Sequence, residues 1–263
     1  MHGRNARELP PSLSLLADNV CLSTLPPFRF TAIAFDPPGC GFSIPPARDW
    51  SDPEILLQDA RIGVNLMHQL DHLPFFCVGW SEGAQSAILA ASELNFDDSI
   101  QGLVVWDLDE VITTEGGSGN CGHSIGRSSS SLDSKCALDA WSDGRRLRLQ
   151  ALYGKEYMRD CWPAYVETKE IRRMRSAVLR CLPQRLLQMP LLHIASPLSE
   201  ARQHQDANSQ STESALLACS GYRSTVWPEW PEAEQEASWL PPHELHADFF
   251  QSCVETFILE SIQ

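Results

Sequence analysis

Five consecutive residues, Gly79-Trp80-Ser81-Glu82-Gly83, place a serine between two glycines at a spacing that suits nucleophilic catalysis. A serine hydroxyl attacks a carbonyl only when it stands clear of its own backbone, and a sharp strand-to-helix turn provides that exposure. Glycines two before and two after the serine remove side chains where strand and helix crowd together. The backbone N–H of the next residue, Glu82, can then face a developing oxyanion, helped by the positive end of the helix dipole. The flanks meet this demand. "PFFCVGW" (74–80) reads as a short buried strand, and "EGAQSAILAASEL" (82–94), rich in Ala and Leu, reads as a helix. Ser43 and Ser86 stand on no such turn and are poor nucleophile candidates. The plainer reading of Ser81 is a surface strand–helix turn without chemistry.

Further elements must position such a serine. "FTAIAFD" (30–36) is a nearly continuous apolar run ended by the Gly-rich "PPGCGFS", and predicts a buried strand followed by a turn. Asp52 and Pro53 read as the N-cap and first residue of a helix over 53–70, with Leu56, Ala60, Met67 and Leu70 at near-helical spacing. "SIQGLVVWD" (99–107) predicts a third strand. Strands alternating with helices at this spacing predict an α/β fold with a mostly parallel sheet. The texture changes after Val111. A Gly/Ser-rich loop precedes an Arg-rich stretch, 137–185, that reads as helical. The α/β pattern resumes at "PLLHIAS" (190–196) and "YRSTVW" (222–227). The C-terminal segment from Ala247 sets Phe250, Val254, Phe257 and Ile258 on one helical face. This divides the chain into a core at 1–110, a helical cap with its loop at 111–186, and a second core part at 187–263.

Composition narrows the function classes. A length of 263 residues suffices for a sizeable core, and the net charge of -14 argues against nucleic acid or an anionic membrane as main partner. No apolar run approaches the roughly 18 residues of a membrane span, and the N-terminus lacks the apolar region of a signal peptide. The nine cysteines form no CxxC pair and are odd in number, which favours reduced thiols over disulfides or zinc. A cytoplasmic protein without metal or cofactor is expected, with a mitochondrial location left open. Cys40 and Cys77 read as packing residues.

The stretches "AFDPPGCGFSIPPARDW", "VGWSEGAQSAILAA", "ALYGKEYMRDCW" and "HELHADF" resemble the α/β-hydrolase superfamily, and most closely its valacyclovir hydrolase (biphenyl hydrolase-like) branch. The resemblance covers roughly residues 30–110, 137–193 and 243–262. It implies an α/β-hydrolase fold with a helical cap, a Ser–His–acid triad, and hydrolysis of small carboxylic esters through an acyl-enzyme. Ser81 takes the nucleophile's position and His243 the base's, with His246 as its neighbour. Prolines 241 and 242 suggest a histidine held on a loop at the rim of the site. The branch carries an acid after the nucleophile that pairs with a substrate α-amino group. Glu82 matches that position, which implies amino-acid-type esters, although an ordinary first-turn Glu is the competing reading.

The sequence departs from the family's pattern at two places. The family's usual triad Asp falls on Leu198, which cannot accept an imidazole N–H. Glu200, two residues on, or Asp107, at the end of the preceding strand and 26 residues after Ser81, could serve instead. No functional acid is the third alternative. The resemblance implies three strands ahead of 30–36, where this sequence has 29 residues, so the chain reads as N-terminally truncated, and the oxyanion-loop His-Gly matches only His2-Gly3, with Gly3 as a weak second donor. Such a gap in the sheet centre would force strands to re-pair or leave edges open. Trp80 and Trp106 end neighbouring strands, where they either line the pocket floor or pack the core. The Arg-rich segment 172–185 reads as a solvated face. Two readings result: an ester-cleaving serine hydrolase, or a degenerate fold of the same class without catalysis, as a binding protein or a truncated gene product.

Overall fold

The structure, a computed structural model, describes residues 25–50, 52–94, 98–106, 108, 147, 150, 151, 153–161, 164, 165, 188–195, 216–228 and 242–262. Four parallel strands form one sheet in the order β1 (Phe75–Trp80), β2 (Ile100–Trp106), β3 (Leu191–Ala195) and β4 (Tyr222–Val226). Four of the five strands read from the sequence therefore lie in the sheet, each within a residue or two of its expected ends.

The apolar character of β2 and β3 follows from their two-sided burial. In β2 every residue except Gln101 is buried, and all of β3 is buried. A parallel sheet covered by helices on both faces has no solvent side, so apolar residues run continuously instead of alternating. On one face, α1 (Ile55–Gln69) and α2 (Glu82–Leu89) bring Ala60, Val64, Ala84 and Ile88 against Leu103, Val105 and Leu191. On the other, Phe250, Val254, Phe257 and Ile258 pack on Val104, Trp106, Leu192 and Ile194. Those four side chains come from the last helix, α4 (Ala247–Ser261), which follows the short α3 (Pro242–Leu245). Each such side chain contributes about 1.5–3 kcal/mol on full burial, so this seam fixes the last helix on the sheet.

The predicted strand over 30–36 does not form. Residues 30–37 adopt neither helix nor strand, and among the described residues 31–36 make no backbone–backbone hydrogen bond. The apolar side chains still find the core: Phe30 packs against the cluster that includes Val104, Trp106 and Phe250, and Phe35 lies against Gly63 of α1. The cause is the lack of a ladder partner. Among the described strands β1 pairs only with β2, and none pairs with this segment. Apolar pattern drives burial, but strand structure also needs a neighbour to take its N–H and C=O groups.

Three smaller corrections concern helices. The first begins at Ile55, later than expected, with Glu54 as N-cap, while Asp52 accepts the Glu54 N–H at 2.8 Å. Its buried stripe is Ile55, Leu56, Ala60 and Val64, joined by Asp59, whereas Leu70 is exposed. The helix after Ser81 is α-helical to Leu89 and continues as a π-helical turn over Ala90–Leu94. The cap falls mostly outside the described residues, although 155–161 are helical and Gly154, at φ +82°, interrupts the helix just before them.

No described helix is long and apolar enough to cross a membrane. One buried histidine leaves a measurable signature. His193 on β3 is 4% exposed with Nδ1 3.1 Å from the Tyr222 hydroxyl, and burial pushes its pKa down from 6.5 to about 4. The unfolded chain therefore binds more protons than the folded chain between these values, so stability rises with pH across that window and is flat below it. The predicted change is up to about 3 kcal/mol between pH 4 and 6.5. Urea unfolding across this range should show the slope in the wild type and a flatter profile in His193→Gln.

Candidate active site

Ser81 occupies the single residue between the end of β1 and the start of α2, with φ 53° and ψ -117°. An L-residue in this region is strained by roughly 1–3 kcal/mol and persists only where its surroundings over-determine it. Here they do. The Ser81 N–H donates to the Trp106 carbonyl at 3.1 Å, and the Ser81 carbonyl accepts from Ala84 and Gln85 at 3.1 and 3.2 Å. The strand end is thus tied sideways to β2 and forward into the first turn of α2. A Cβ on Gly79 would stand 2.4 Å from the Gly83 carbonyl oxygen, so the first glycine of the motif is required by the approach of the second. Ser81 remains partly exposed.

His243 comes to this turn from the far end of the chain. It lies in the four-residue α3, with 0% exposure, rather than at the rim of a loop as the preceding prolines suggest. The expectation fails because Pro242 opens a helical turn and the flanking aromatic rings enclose the imidazole. Trp80 and Trp106 pack on it edge-on at 5.3 and 5.1 Å between centroids, and Phe250 stands at 6.2 Å. Trp106 also donates its indole N–H to His243 Nδ1 at 3.1 Å. One residue therefore touches both candidates, Ser81 through its carbonyl and His243 through its ring. His246, three residues on, instead stacks beside Trp227 at 6.4 Å.

Glu82 is 3% exposed, and its carboxylate lies within electrostatic reach of Arg48 and Cys40. Arg48 itself is buried. It donates to both Asp59 carboxylate oxygens at 3.1 and 2.5 Å and to the Pro38 carbonyl at 3.1 Å, and lies 4.9 Å over the Trp50 ring. This pair ties the Gly-rich turn to α1. Burial pushes the Cys40 thiol up to about 12, which leaves it protonated and unreactive near neutral pH. Burial likewise pushes Cys77 up to about 12.

The Gly39–Gly41 turn is built as tightly. Gly39 and Gly41 take φ +80° and +50°, and a Cβ on Gly41 would fall 2.3 Å from the Asp36 carboxylate, which accepts the Phe42 N–H at 2.9 Å. Two tyrosines from the "ALYGKEY" stretch hold this turn. Gly41 N–H donates to the Tyr153 hydroxyl at 3.0 Å, Tyr157 donates to the Gly39 carbonyl at 3.2 Å, and their rings stack at 5.7 Å. Sequence reading missed the roles of Arg48, Tyr153 and Tyr157. The available signal was their presence in the motif-bearing stretches, but nothing in the spacing shows that the two stretches meet.

The proposed acids Asp107 and Glu200, the displaced position Leu198 and the second oxyanion donor Gly3 lie outside the described residues, as does the Arg-rich segment 172–185. A hollow of about 230 Å³ lined by Pro190, Ser220, Gly221, Tyr222, Arg223 and Ser261 sits at the opposite ends of β3 and β4 and holds none of the candidate residues.

Gly79→Ala is the substitution that the turn tolerates least. The added methyl must displace backbone of α2, and we expect a loss of roughly 2–3 kcal/mol in urea unfolding. Gly154→Ala, where a Cβ meets no atom within 4 Å but the backbone is left-handed, should cost only about 1 kcal/mol.

The chain is similar to known proteins of one family. Residues 2–233 match the Alpha/beta hydrolase family. Serine hydrolase BPHL of Mus musculus is 31% identical over 137 residues, covering 52% of this chain and 42% of the relative. The Homo sapiens protein of the same name is 32% identical over 128 residues, covering 49% and 39%. The match thus spans less than half the length of these curated relatives. Among solved structures, the peroxisomal alpha-beta-hydrolase Lpx1 of Saccharomyces cerevisiae aligns over 81% of this chain and 61% of its own, with TM-score 0.43 and 13% identity. The chain, with its parallel sheet and a serine on the turn after β1, belongs to the alpha/beta hydrolase family.

Proposed function

We propose that this protein is a serine hydrolase of small carboxylic esters that works through an acyl-enzyme. The observation that carries the proposal is the juxtaposition at the ends of β1 and β2: a strained, partly exposed Ser81 beside two tryptophans that pack on His243. In the reaction, Ser81 Oγ attacks the ester carbonyl and His243 Nε2 takes its proton. The Glu82 N–H, at the start of α2, stabilises the tetrahedral oxyanion. Collapse expels the alcohol, which receives the proton from His243 and leaves an acyl-Ser81 ester. Water then attacks that ester with His243 again as base, releasing the acid and restoring the serine. Asp107, or Glu200 as the alternative, would hold the imidazole at Nδ1.

Glu82 extends the proposal to amino-acid-type esters, because its carboxylate follows the nucleophile by one residue and would attract a substrate ammonium. Arg48 competes for that same charge. Trp80 and Trp106 would form the apolar floor beneath the acyl group. The proposed site is cofactor-free, with a small-molecule substrate as its partner and a cytoplasmic setting.

A second reading, a fold of this family without turnover, is favoured by one observation. Trp106 holds His243 Nδ1, the nitrogen that any triad acid must take. Labelling with a fluorophosphonate probe separates the readings. We expect covalent labelling of the folded protein at Ser81, abolished in Ser81→Ala and reduced at least a hundredfold in rate in His243→Gln. Folded protein that does not label would favour the inactive reading.

A further inference from the structure

The bond between Trp106 and His243 fixes where the imidazole proton sits. An indole N–H can only donate, so the nitrogen facing it must offer a lone pair. A neutral imidazole has one such nitrogen, and the other carries the proton. At 3.1 Å, Trp106 Nε1 faces Nδ1, so the His243 proton is on Nε2. A base for Ser81 needs the opposite arrangement, with the proton on Nδ1 and the lone pair on Nε2.

We propose that Trp106 is a positioning residue that holds His243 in a resting tautomer with no lone pair on Nε2, and that this bond must break before His243 can serve Ser81. The inference rests on the serine-hydrolase reading for its consequence but not for its chemistry. The burial of both rings supports it. Trp106 is 1% and His243 0% exposed, so water cannot readily replace the indole as partner. Trp80 and Phe250 close two further sides of the imidazole, which leaves ring rotation as a concerted step rather than a free motion. The carbonyl of the same Trp106 accepts the Ser81 N–H, so the strand end that fixes the nucleophile's backbone also restrains its base. Release parts the rings and admits solvent, which takes one proton from Nε2 and returns one to Nδ1, with no net change of charge. An acid at either candidate position then accepts from Nδ1–H in place of the indole's donation.

The tautomer is readable without activity. Two-bond proton–nitrogen correlation spectra of histidine-labelled protein, at about pH 8 where ordinary histidines are neutral, distinguish Nε2–H from Nδ1–H. The His243 signals are assigned by their loss in His243→Gln. We expect the Nε2–H pattern in the wild type. In Trp106→Phe, which keeps an apolar ring and removes the donor, we expect Nδ1–H to gain population and fluorophosphonate labelling of Ser81 to speed up about fivefold, the size of one neutral hydrogen bond. A wild-type Nδ1–H pattern overturns the proposal, whatever the variant does and even if Trp106→Phe fails to fold. An unchanged tautomer in a folded Trp106→Phe overturns it as well. A shifted tautomer with an unchanged labelling rate overturns the restraint on the base. Absence of labelling in both proteins, with the tautomer shifting as expected, overturns the hydrolase reading and leaves the Trp106 assignment standing.

Discussion

The backbone of Ser81 is the constraint from which the rest of the candidate site follows. A left-handed φ at a non-glycine residue is unfavourable, and the fold sustains it by three hydrogen bonds and one close approach. The bond to Trp106 requires β1 and β2 to be parallel and in register, so that Trp80 and Trp106 end side by side. The bonds to Ala84 and Gln85 require α2 to start at once. The approach of the Gly83 backbone requires glycine at 79. Lose the sheet register or the glycine and Ser81 relaxes to an ordinary turn with its hydroxyl no longer presented. The stability of the buried sheet thus sustains local strain at a place where strain has a chemical use.

Charge and burial shape the surroundings in the same way. Arg48, Asp59 and Glu82 are all buried near the Gly-rich turn. A buried carboxylate needs a cation or donors, and Arg48 meets that need through two oxygens of Asp59 while sharing its field with Glu82. The turn that carries Arg48's carbonyl partner is in turn clamped by Tyr153 and Tyr157. A segment expected to belong to the cap is therefore mechanically joined to the core beside the nucleophile.

The sequence made the sheet and the serine turn legible because their causes are local. Continuous apolar runs specify β1, β2 and β3, and the spacing of Phe250, Val254, Phe257 and Ile258 specifies the seam of the last helix. Residues 30–36 carry an equally apolar run yet form no strand, because a ladder depends on a partner that a run of side chains cannot reveal. The position of His243 along the chain was readable, but its enclosure by three aromatic rings was not, since those rings come from Trp80, Trp106 and Phe250, far apart in sequence. The indole bond to Nδ1 is a matter of ångströms and had no sequence signal at all. Asp107 and Glu200 lie outside the described residues, and residue types alone leave three alternatives for the acid: Asp107, Glu200 or none.

The central claim is that Ser81 becomes covalently acylated during ester cleavage. Acid-quenching the protein during turnover of p-nitrophenyl acetate and locating the acetyl group by peptide mass spectrometry tests it most directly. The account predicts a pre-steady-state burst of p-nitrophenol and an acetyl group on the peptide containing Ser81, absent in Ser81→Ala. Turnover without a burst, or with the acetyl group only on other residues, would contradict it.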